Sequence, residues 1–393
     1  MPKGPVDSSK KRPPGPERAG REPAEGSDRL LGSIADMSSD PSRLTLDHSD
    51  STFLAACRGE PHRHTPVWFM RQAGRSLPEY RAIRGTGTIL DAVADPDRAA
   101  TITLQPVHRY GVDAAILFSD IMVPVQSLGF GVDIRQGVGP VVDRPFESAD
   151  DLGRLRPFEP YVDAPYVAET VRQVVASSPV PVIGFAGAPF TVASYLVEGM
   201  PSRALERTRA FMNEDPALFD VLLERLADVA IASLRSQIEA GVSAVQLFDT
   251  WAGALDPQAY RQAVLPHSRR ILAALAELGV PRIHFGTDTR PILHLMAAAG
   301  PEVVGVDWRT PLDEARRLLG PDVVLQGNLD PAICLEAPEV IDAAVADVLA
   351  RNGNHPGHVF NLGHGVLPST DPGVLAHIVE LVHAHRPSRD GTP

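Results

Sequence analysis

Two arginines four residues apart, Arg71 and Arg75, follow the apolar run at 67–69, and Gly74 lies between them. A guanidinium group binds a carboxylate through paired, charge-assisted hydrogen bonds, each contributing roughly 1.5–3 kcal/mol. Gly74 allows the backbone to turn sharply or to approach a ligand closely. The pattern indicates a site for a carboxylate-bearing ligand. The alternative is an internal ion pair with a neighbouring acid such as Glu79.

Asp120 closes the run "LFSD", and a carboxylate at the end of a buried strand needs a partner or serves a cation. Three interpretations stay open. Asp120 could pair with one of the arginines, or face the N–H groups or developing positive charge of a substrate. It could also bind Mg²⁺ together with Asp249, Asp288 and Asp307. One carboxylate per strand, without paired spacing, gives little support to a metal site.

His364 and Tyr195 are further candidates, but each has an ordinary structural interpretation. His364 lies between glycines in "NLGHG", which suits a loop close to a ligand, and Tyr195 lies in the helical pattern "FTVASYLVEG". A single histidine is more often structural than catalytic. A tyrosine on a helix usually belongs to the core, with its hydroxyl bonded to a partner. The sequence has no HExxH motif, so a zinc site is unsupported.

The composition excludes several classes of function. The chain has 393 residues, 44% of them hydrophobic, and a net charge of -12, which argues against general nucleic-acid binding. Two distant cysteines give no disulfide framework and favour a reducing cytoplasm. No apolar run approaches the roughly 20 residues needed to cross a bilayer, and the polar, Pro-rich start does not predict a secretory signal peptide. The only lysines lie at positions 3, 10 and 11, which excludes lysine Schiff-base chemistry in the folded body.

The elements that must position these residues alternate between short apolar runs and longer helical patterns. Continuous apolar runs are typical of strands buried on both faces. The eight runs lie at 66–70, 113–120, 181–187, 244–250, 282–288, 303–308, 323–330 and 358–365. The clearest helices are predicted at 215–241, 256–279 and 371–385, and each begins with an Asp-Pro pair that supplies an N-cap and a first turn.

Eight parallel strands separated by helices predict a (β/α)8 TIM barrel forming a single domain at 46–388. The chemistry is then expected at the carboxyl ends of the strands. A doubly wound open sheet is disfavoured because no GxGxxG follows the first strand. The alternating stretch at 130–146 predicts a hairpin inserted after the second strand. Residues 1–45, rich in Pro, Gly and Ser, predict a disordered tail.

Six motifs resemble those of the uroporphyrinogen decarboxylase family, in the same order. They are "PVWFMRQAGRSLPEYR", "ILFSDIMVP", "GFAGAPFTVASYLVEG", "QLFDTWAG", "QGNLDP" and "NLGHGVLPSTDP". The resemblance covers about residues 46–386, and the first motif is highly specific. Ser76 is a departure, because the family pattern leads us to expect an aromatic residue there; it questions local packing more than activity.

The resemblance implies an enzyme that decarboxylates the four acetate side chains of uroporphyrinogen III to give coproporphyrinogen III, without a metal or prosthetic group. It also implies a homodimer. The family's binding positions map onto Arg71, Gln72, Ala73, Gly74, Arg75, Asp120, Tyr195, Thr250 and His364. Arg71 and Asp120 are the expected catalytic residues. No nucleic-acid or membrane partner is expected.

An alternative function is that of a cobalamin-linked methyltransferase. The barrel family that this chain resembles includes such enzymes, which bind zinc through His and Cys. Cys57 and Cys334 are the only cysteines, and neither forms a His-x-Cys pair. This interpretation is therefore disfavoured.

Overall fold

The computed structural model describes residues 1, 4 and 48–385, apart from 75, 86, 136 and 354. The predicted tail at 1–45 therefore lies outside the described residues except for positions 1 and 4, and so does Arg75. The described residues between 48 and 385 belong to one compact unit. No helix in the described part of the chain is both long enough and apolar enough to span a bilayer.

A curled parallel sheet of seven strands forms the centre of this unit, and each strand pairs with the next sheet strand along the chain. Its strands are β1 (Ala115–Ile116), β4 (Val182–Gly187), β5 (Ala244–Phe248), β6 (Arg282–Phe285), β7 (Val303–Gly305), β8 (Val324–Gln326) and β9 (His358–Val359). Each neighbouring pair is parallel, so the carboxyl ends of all seven strands lie at one edge. The α/β class and the parallel strands are as predicted.

The predicted hairpin is confirmed as β2 (Val132–Arg135) paired antiparallel with β3 (Gly139–Val142). It contacts the helix that carries Tyr195. The Val142 amide donates to the Gly199 carbonyl at 2.8 Å. A little further along, the Phe146 amide donates to the Leu196 carbonyl at 2.9 Å. The hairpin therefore supports that helix from outside the main sheet.

Helices connect the strands. They are α1 (Thr52–Cys57), α2 (Pro78–Arg84), α3 (Ile89–Val93), α4 (Pro96–Tyr110), α5 (Val123–Gln126), α6 (Pro160–Asp163), α7 (Pro165–Ser177), α8 (Pro189–Glu198), α9 (Glu206–Glu214), α10 (Pro216–Glu239), α11 (Pro257–Ala259), α12 (Leu265–Leu275), α13 (Leu293–Ala298), α14 (Leu312–Leu319), α15 (Pro338–Asn352) and α16 (Pro372–Ala384). Short 3₁₀ helices lie at Ala149–Arg154, Ala252–Ala254, Ala276–Leu278, Arg290–Ile292 and Pro331–Leu335.

The Asp-Pro signals predicted the starts of three helices correctly. Asp215, Asp256 and Asp371 each accept a backbone hydrogen bond from the first turn of α10, α11 and α16. The segment predicted as one helix at 256–279 is interrupted, because a π-helical turn at Tyr260–Val264 separates α11 from α12. Pro266 has no N–H to donate to the preceding turn, and such a missing donor disrupts the regular α-helical pattern.

The run at 66–70 is not a regular strand, so the described part of the sheet has seven strands where eight were predicted. Val67 forms a single parallel bridge with Phe360, and its carbonyl accepts from the Asp113 amide at 2.8 Å. Side-chain oxygens accept hydrogen bonds from most of the backbone N–H groups in this segment. Val67 N–H donates to Asp113 Oδ2 and Phe69 N–H donates to Gln72 Oε1. These bonds replace the backbone ladder that would define a strand.

Candidate active site

The loop at 70–74 carries the first candidate arginine at the carboxyl edge of the sheet. The Met70 amide donates to Asn361 Oδ1 at 3.0 Å, and the Met70 carbonyl accepts from the Val366 amide at 2.9 Å. Arg71 is exposed and has a φ of 61°, a left-handed conformation that costs free energy for a residue with a side chain. A Cβ at Gly365 would lie 2.5 Å from Arg71 Cδ. Glycine at 365 therefore leaves room for the arginine stem.

The next three predicted residues shape this loop. Gln72 is fully buried. Its side-chain Nε2 donates to the Ala114 carbonyl at 3.0 Å, and its Oε1 accepts from the Phe69 amide. In this structure the Gln72 side chain therefore holds the loop and is not exposed to a ligand. Ala73 packs against the hydrophobic core. Gly74 has a φ of 102°, a conformation that favours glycine.

Arg75, the second candidate arginine, is not among the described residues. Glu79, the acid considered as an internal partner of the arginines, forms an ion pair with Arg109 instead, with Oε1 at 2.9 Å from Nη1. Ser76 is buried and has a backbone carbonyl that accepts from Arg81.

Asp120 and Tyr195 follow neighbouring strands of the sheet and interact electrostatically. Asp120 follows β1, is half-buried, and accepts a hydrogen bond from the Met122 amide at 2.9 Å. Tyr195 lies on α8 and is buried. The pKa of Tyr195 is raised, first by burial; the negative charge of Asp120 raises it further, whereas the Trp251 side chain and the positive charge of Arg71 lower it. These interactions indicate that Arg71, Asp120 and Tyr195 lie near one another.

Thr250 joins the same site through its neighbour. It follows β5, is half-buried, and its carbonyl accepts from Thr287 Oγ1 at 2.7 Å. The ring of Trp251 meets the ring of Tyr195 edge-on, with the centroids 6.0 Å apart. Thr250 thus lies one residue from a side chain that contacts Tyr195.

His364 approaches the site from the loop after β9. Its Nδ1 accepts a hydrogen bond from the Gly365 amide at 2.7 Å. Because Nδ1 is the acceptor, a neutral His364 carries its proton on Nε2. The His364 ring also meets Trp308 edge-on, with the centroids 6.5 Å apart. Since Gly365 abuts Arg71, His364 and Arg71 are adjacent.

The other strand-end acids do not form the Mg²⁺ site that was left open. Asp307 is fully buried, accepts from the Asp288 amide at 2.8 Å, and is paired with Arg309. Burial raises its pKa. In the part of the chain that the structure describes, Asp120, Asp249, Asp288 and Asp307 do not converge as metal ligands.

One group with metal-binding side chains does occur among the described residues, at the opposite edge of the sheet. His64 Nε2 lies 2.8 Å from Asp113 Oδ1, and His383 Nε2 lies 2.8 Å from Asp113 Oδ2. Each histidine uses its own carboxylate oxygen at hydrogen-bond distance, and Val67 N–H donates to Oδ2 as well. The geometry is that of a hydrogen-bonded cluster. The sequence signal for it is a His-x-His pair at 62–64 and another at 383–385.

Aromatic rings cluster near the carboxyl ends of three neighbouring strands. Phe185 near the end of β4 and Phe248 at the end of β5 are half-buried, and their rings meet edge-on at 5.5 Å. Phe248 also meets Phe285 at the end of β6, with the centroids 6.1 Å apart. A flat hydrophobic ligand could pack on these rings.

Sequence reasoning assigned no role to three residues that support the site. Asn361 ties the 70–74 loop to the last strand, Gly365 makes room for Arg71, and Thr191 bonds to the loop that contains Thr250. Asn361 and Gly365 lie in the motif "NLGHG", whose polar and glycine content was a usable signal. Thr191 lies in an apolar helical pattern and gave none.

Comparison with known proteins shows which proteins the chain resembles. A family model described as uroporphyrinogen decarboxylase (URO-D) matches residues 48–385. A uroporphyrinogen decarboxylase from Salinispora tropica is 57% identical over 338 residues, which are 86% of this chain and 91% of that protein. A second, from Frankia casuarinae, is 57% identical over 84% of this chain and 89% of its own length.

Solved structures support the fold alone. A methyltransferase from Methanosarcina mazei superposes with a TM-score of 0.70 at 20% identity, covering 84% of this chain and 97% of its own. A B12-independent methionine synthase from Shewanella sp. W3-18-1 gives a TM-score of 0.51 at 11% identity, covering 73% of this chain and 87% of its own.

Proposed function

The chain belongs to the uroporphyrinogen decarboxylase family, and we propose that it removes CO₂ from the four acetate side chains of uroporphyrinogen III to give coproporphyrinogen III. The observation that carries this proposal is the match of residues 48–385 to the uroporphyrinogen decarboxylase family model, together with relatives that are 57% identical over most of the chain. The reaction belongs to tetrapyrrole and haem biosynthesis.

The substrate can supply its own electron sink. Protonation of the pyrrole carbon beside an acetate makes the ring cationic. The bond to the carboxylate then breaks, CO₂ leaves, and the electron pair neutralises the ring. A proton at the exocyclic carbon completes the methyl group, and the ring loses the proton it had gained. The enzyme has no lysine in its described body for a Schiff base, which fits this chemistry.

Asp120 is the group that stabilises the ring cation. Its carboxylate accepts hydrogen bonds from pyrrole N–H groups and lies where positive charge develops. Removing one preorganised group of this kind typically costs about 2.7–4 kcal/mol of barrier. The apolar rings of Phe185 and Phe248 offer a surface for the pyrroles, and a water-poor site strengthens the interaction of Asp120 with the cation.

The remaining candidates bind substrate carboxylates. Arg71 and Arg75 clamp acetates and propionates, since guanidinium groups fork onto carboxylates. Tyr195 and Thr250 supply hydroxyl donors, and His364 supplies the N–H on Nε2. Gln72, Ala73 and Gly74 set the position of the arginine loop. A guanidinium is a poor acid near neutral pH, so a water or substrate carboxyl held by Arg71 delivers the proton.

We also propose that the sheet is a closed (β/α)8 barrel. The segment at 66–70 provides the support, because it bonds to Phe360 beyond β9 on one side and to Asp113 before β1 on the other. We propose in addition that the barrel forms a single domain at 46–388, that the protein is cytoplasmic and that it forms a homodimer. We propose no nucleic-acid or membrane partner. Size-exclusion chromatography with light scattering tests the dimer.

The cobalamin-linked methyltransferase remains the second candidate because the Methanosarcina mazei structure shares the fold. A zinc site of that kind needs a cysteine thiolate. Cys57 and Cys334 are both buried, and burial raises the pKa of Cys334 to about 12 and that of Cys57 further still. Neither thiol belongs to a metal-binding group among the described residues. These observations favour the decarboxylase.

The proposed function is tested by incubating the purified protein with uroporphyrinogen III under anaerobic conditions and resolving the products by chromatography. We expect stepwise loss of carboxyl groups down to the four-carboxylate product, with the same rate in EDTA. Absence of any decarboxylated product would reject the function. A rate that collapses with chelator and returns with metal would reject the cofactor-free mechanism.

A further inference from the structure

Asp249 is a fully buried carboxylate for which the proposed reaction has no direct use. It directly precedes Thr250 after β5. Its Oδ1 accepts a hydrogen bond from Thr191 Oγ1 at 2.9 Å. Its Oδ2 lies 3.8 Å from Nε2 of His284, which is also fully buried. A buried carboxylate is costly unless its pairing serves a purpose, so its surroundings identify what it holds.

Thr191 connects Asp249 to the other side of Thr250. Its hydroxyl donates to Asp249 and accepts a hydrogen bond from the Trp251 amide at 3.1 Å. One hydroxyl therefore contacts the residue before Thr250 and the residue after it. This arrangement fixes the backbone of Thr250 to helix α8.

Helix α8 also carries Tyr195, four residues after Thr191. Residues four apart lie on the same face of a helix, so Thr191 and Tyr195 face the same loop. The ring contact between Trp251 and Tyr195 completes the connection at a centroid distance of 6.0 Å. Two of the proposed carboxylate-binding residues, Tyr195 and Thr250, are thus held by a single buried hydroxyl.

Close backbone packing limits where this loop can move. The Thr250 carbonyl accepts from Thr287 Oγ1 at 2.7 Å. A Cβ at Gly253 would lie 2.2 Å from the Thr287 carbonyl oxygen, and a Cβ at Gly286 would lie 2.8 Å from that of Asp249. Loss of the Thr191 bonds would release the loop on one side while these contacts keep it folded.

We propose that Asp249, acting through the hydroxyl of Thr191, is a positioning residue that holds Tyr195 and Thr250 in register to bind a carboxylate of the substrate. The proposal rests on the proposed decarboxylase function. Neither Asp249 nor Thr191 contacts the reacting atoms in this account. Their effect is on the affinity of the site for a polycarboxylate, because the two hydroxyl donors bind ground state and transition state alike.

The test compares Thr191→Val with Thr191→Ser. Valine keeps the shape of threonine but removes the hydroxyl and both of its hydrogen bonds, whereas serine keeps the hydroxyl. We expect Thr191→Val to raise KM for uroporphyrinogen III by about tenfold with kcat changed less than about threefold. We expect Thr191→Ser to restore KM to within about twofold of the wild-type value.

Thr170→Val is the matched control. Thr170 is also a buried threonine, and its hydroxyl donates to the Tyr166 carbonyl at 2.8 Å on α7, away from the site. Its loss is expected to leave KM unchanged. If Thr191 had a purely structural role, Thr191→Val would also leave KM unchanged. It would only reduce the number of active molecules and therefore the apparent kcat.

An unchanged KM in Thr191→Val, or equal KM values in the valine and serine variants, would overturn the proposal while leaving the decarboxylase function intact. An inactive wild-type protein in the same assay would instead reject the function itself. If Thr191→Val does not fold, Asp249→Ala takes its place, since alanine removes the carboxylate oxygen that accepts from Thr191 Oγ1. A KM increase of about threefold or more is expected there, and an unchanged KM would again overturn the proposal.

Discussion

Two aspartates flank the same strand, and their surroundings differ. Asp113 precedes β1 at the amino edge and accepts hydrogen bonds from His64, His383 and the Val67 amide. Asp120 follows β1 at the carboxyl edge, accepts from the Met122 amide, and acts electrostatically on Tyr195. Hydrogen bonds that join distant segments make Asp113 a structural acid. Asp120 lies half-exposed at the carboxyl edge, and it is the aspartate for which we propose a role in the chemistry.

The largest effect is expected for Asp120→Asn. Asparagine has nearly the same shape but cannot supply the negative charge that stabilises the pyrrole cation. We expect turnover of uroporphyrinogen III to fall by at least about 100-fold. The check is an anaerobic steady-state assay, with circular dichroism and thermal unfolding to verify the fold. Turnover close to wild type would remove Asp120 from the mechanism.

Arg71 is expected to matter almost as much at the same edge. Arg71→Ala removes the guanidinium that clamps a substrate carboxylate and should reduce turnover by about 100-fold. Arg71→Lys is the control, since lysine keeps the charge but not the paired hydrogen bonds, and should recover part of the loss. Equal activity in wild type and Arg71→Ala would contradict the clamp.

Gly365→Ala tests the space that the Arg71 side chain occupies. The new methyl group would lie 2.5 Å from Arg71 Cδ, so the flexible arginine stem must move. We expect kcat/KM to fall by about tenfold, because a displacement near 1 Å can cost up to about 100-fold. The measurement is the kinetic assay together with Tm. A variant with unchanged kcat/KM would show that the observed Arg71 position is not needed.

Asp113→Asn should give the opposite pattern from Asp120→Asn. It disrupts hydrogen bonds that join the start of β1, the segment before Val67 and helix α16, so we expect stability to fall by about 1–3 kcal/mol with turnover per folded molecule unchanged. Urea unfolding measures the loss. Asp342→Asn is the control, because its pair with His377 is exposed and should contribute less than about 1 kcal/mol.

The effect of Asp113 on stability should also depend on pH. Burial alone would raise the pKa of Asp113, but the hydrogen bonds from His383 and His64 outweigh it and the pKa lies below its ordinary value of 3.8. A carboxyl with a lowered pKa stabilises the fold at higher pH, and that contribution disappears as the pH falls below 3.8 through the folded-state pKa. The difference in unfolding free energy between wild type and Asp113→Asn should therefore have its largest value at pH 7 and decrease as the pH falls below 3.8. A difference that grows in acid would contradict this assignment.

The sequence predicted much of the fold because the relevant signals are local. Seven of the eight apolar runs contain a strand of the sheet, the hairpin at 130–146 is present, and three Asp-Pro pairs begin helices. The run at 66–70 pairs differently because side chains of Gln72 and Asp113 take its backbone donors. No apolar pattern encodes such bonds.

The positions of the proposed site residues were predictable because these residues lie in recognisable motifs. Arg71, Asp120, Tyr195, Thr250 and His364 all lie at the carboxyl edge of the sheet or in contact with residues there. The supporting contacts were not predictable, because they join distant parts of the chain. Thr191 and Asp249 are 58 residues apart, and His383 and Asp113 are 270 apart. Only the folded arrangement makes such pairs visible.

The most direct test of the difference between the two edges is one assay of wild type, Asp120→Asn and Asp113→Asn with uroporphyrinogen III, with products resolved by carboxyl number. We predict that wild type and Asp113→Asn reach the four-carboxylate product at the same rate per folded molecule, while Asp120→Asn leaves the substrate almost unchanged. Full conversion by Asp120→Asn would contradict the account, and so would loss of conversion by correctly folded Asp113→Asn.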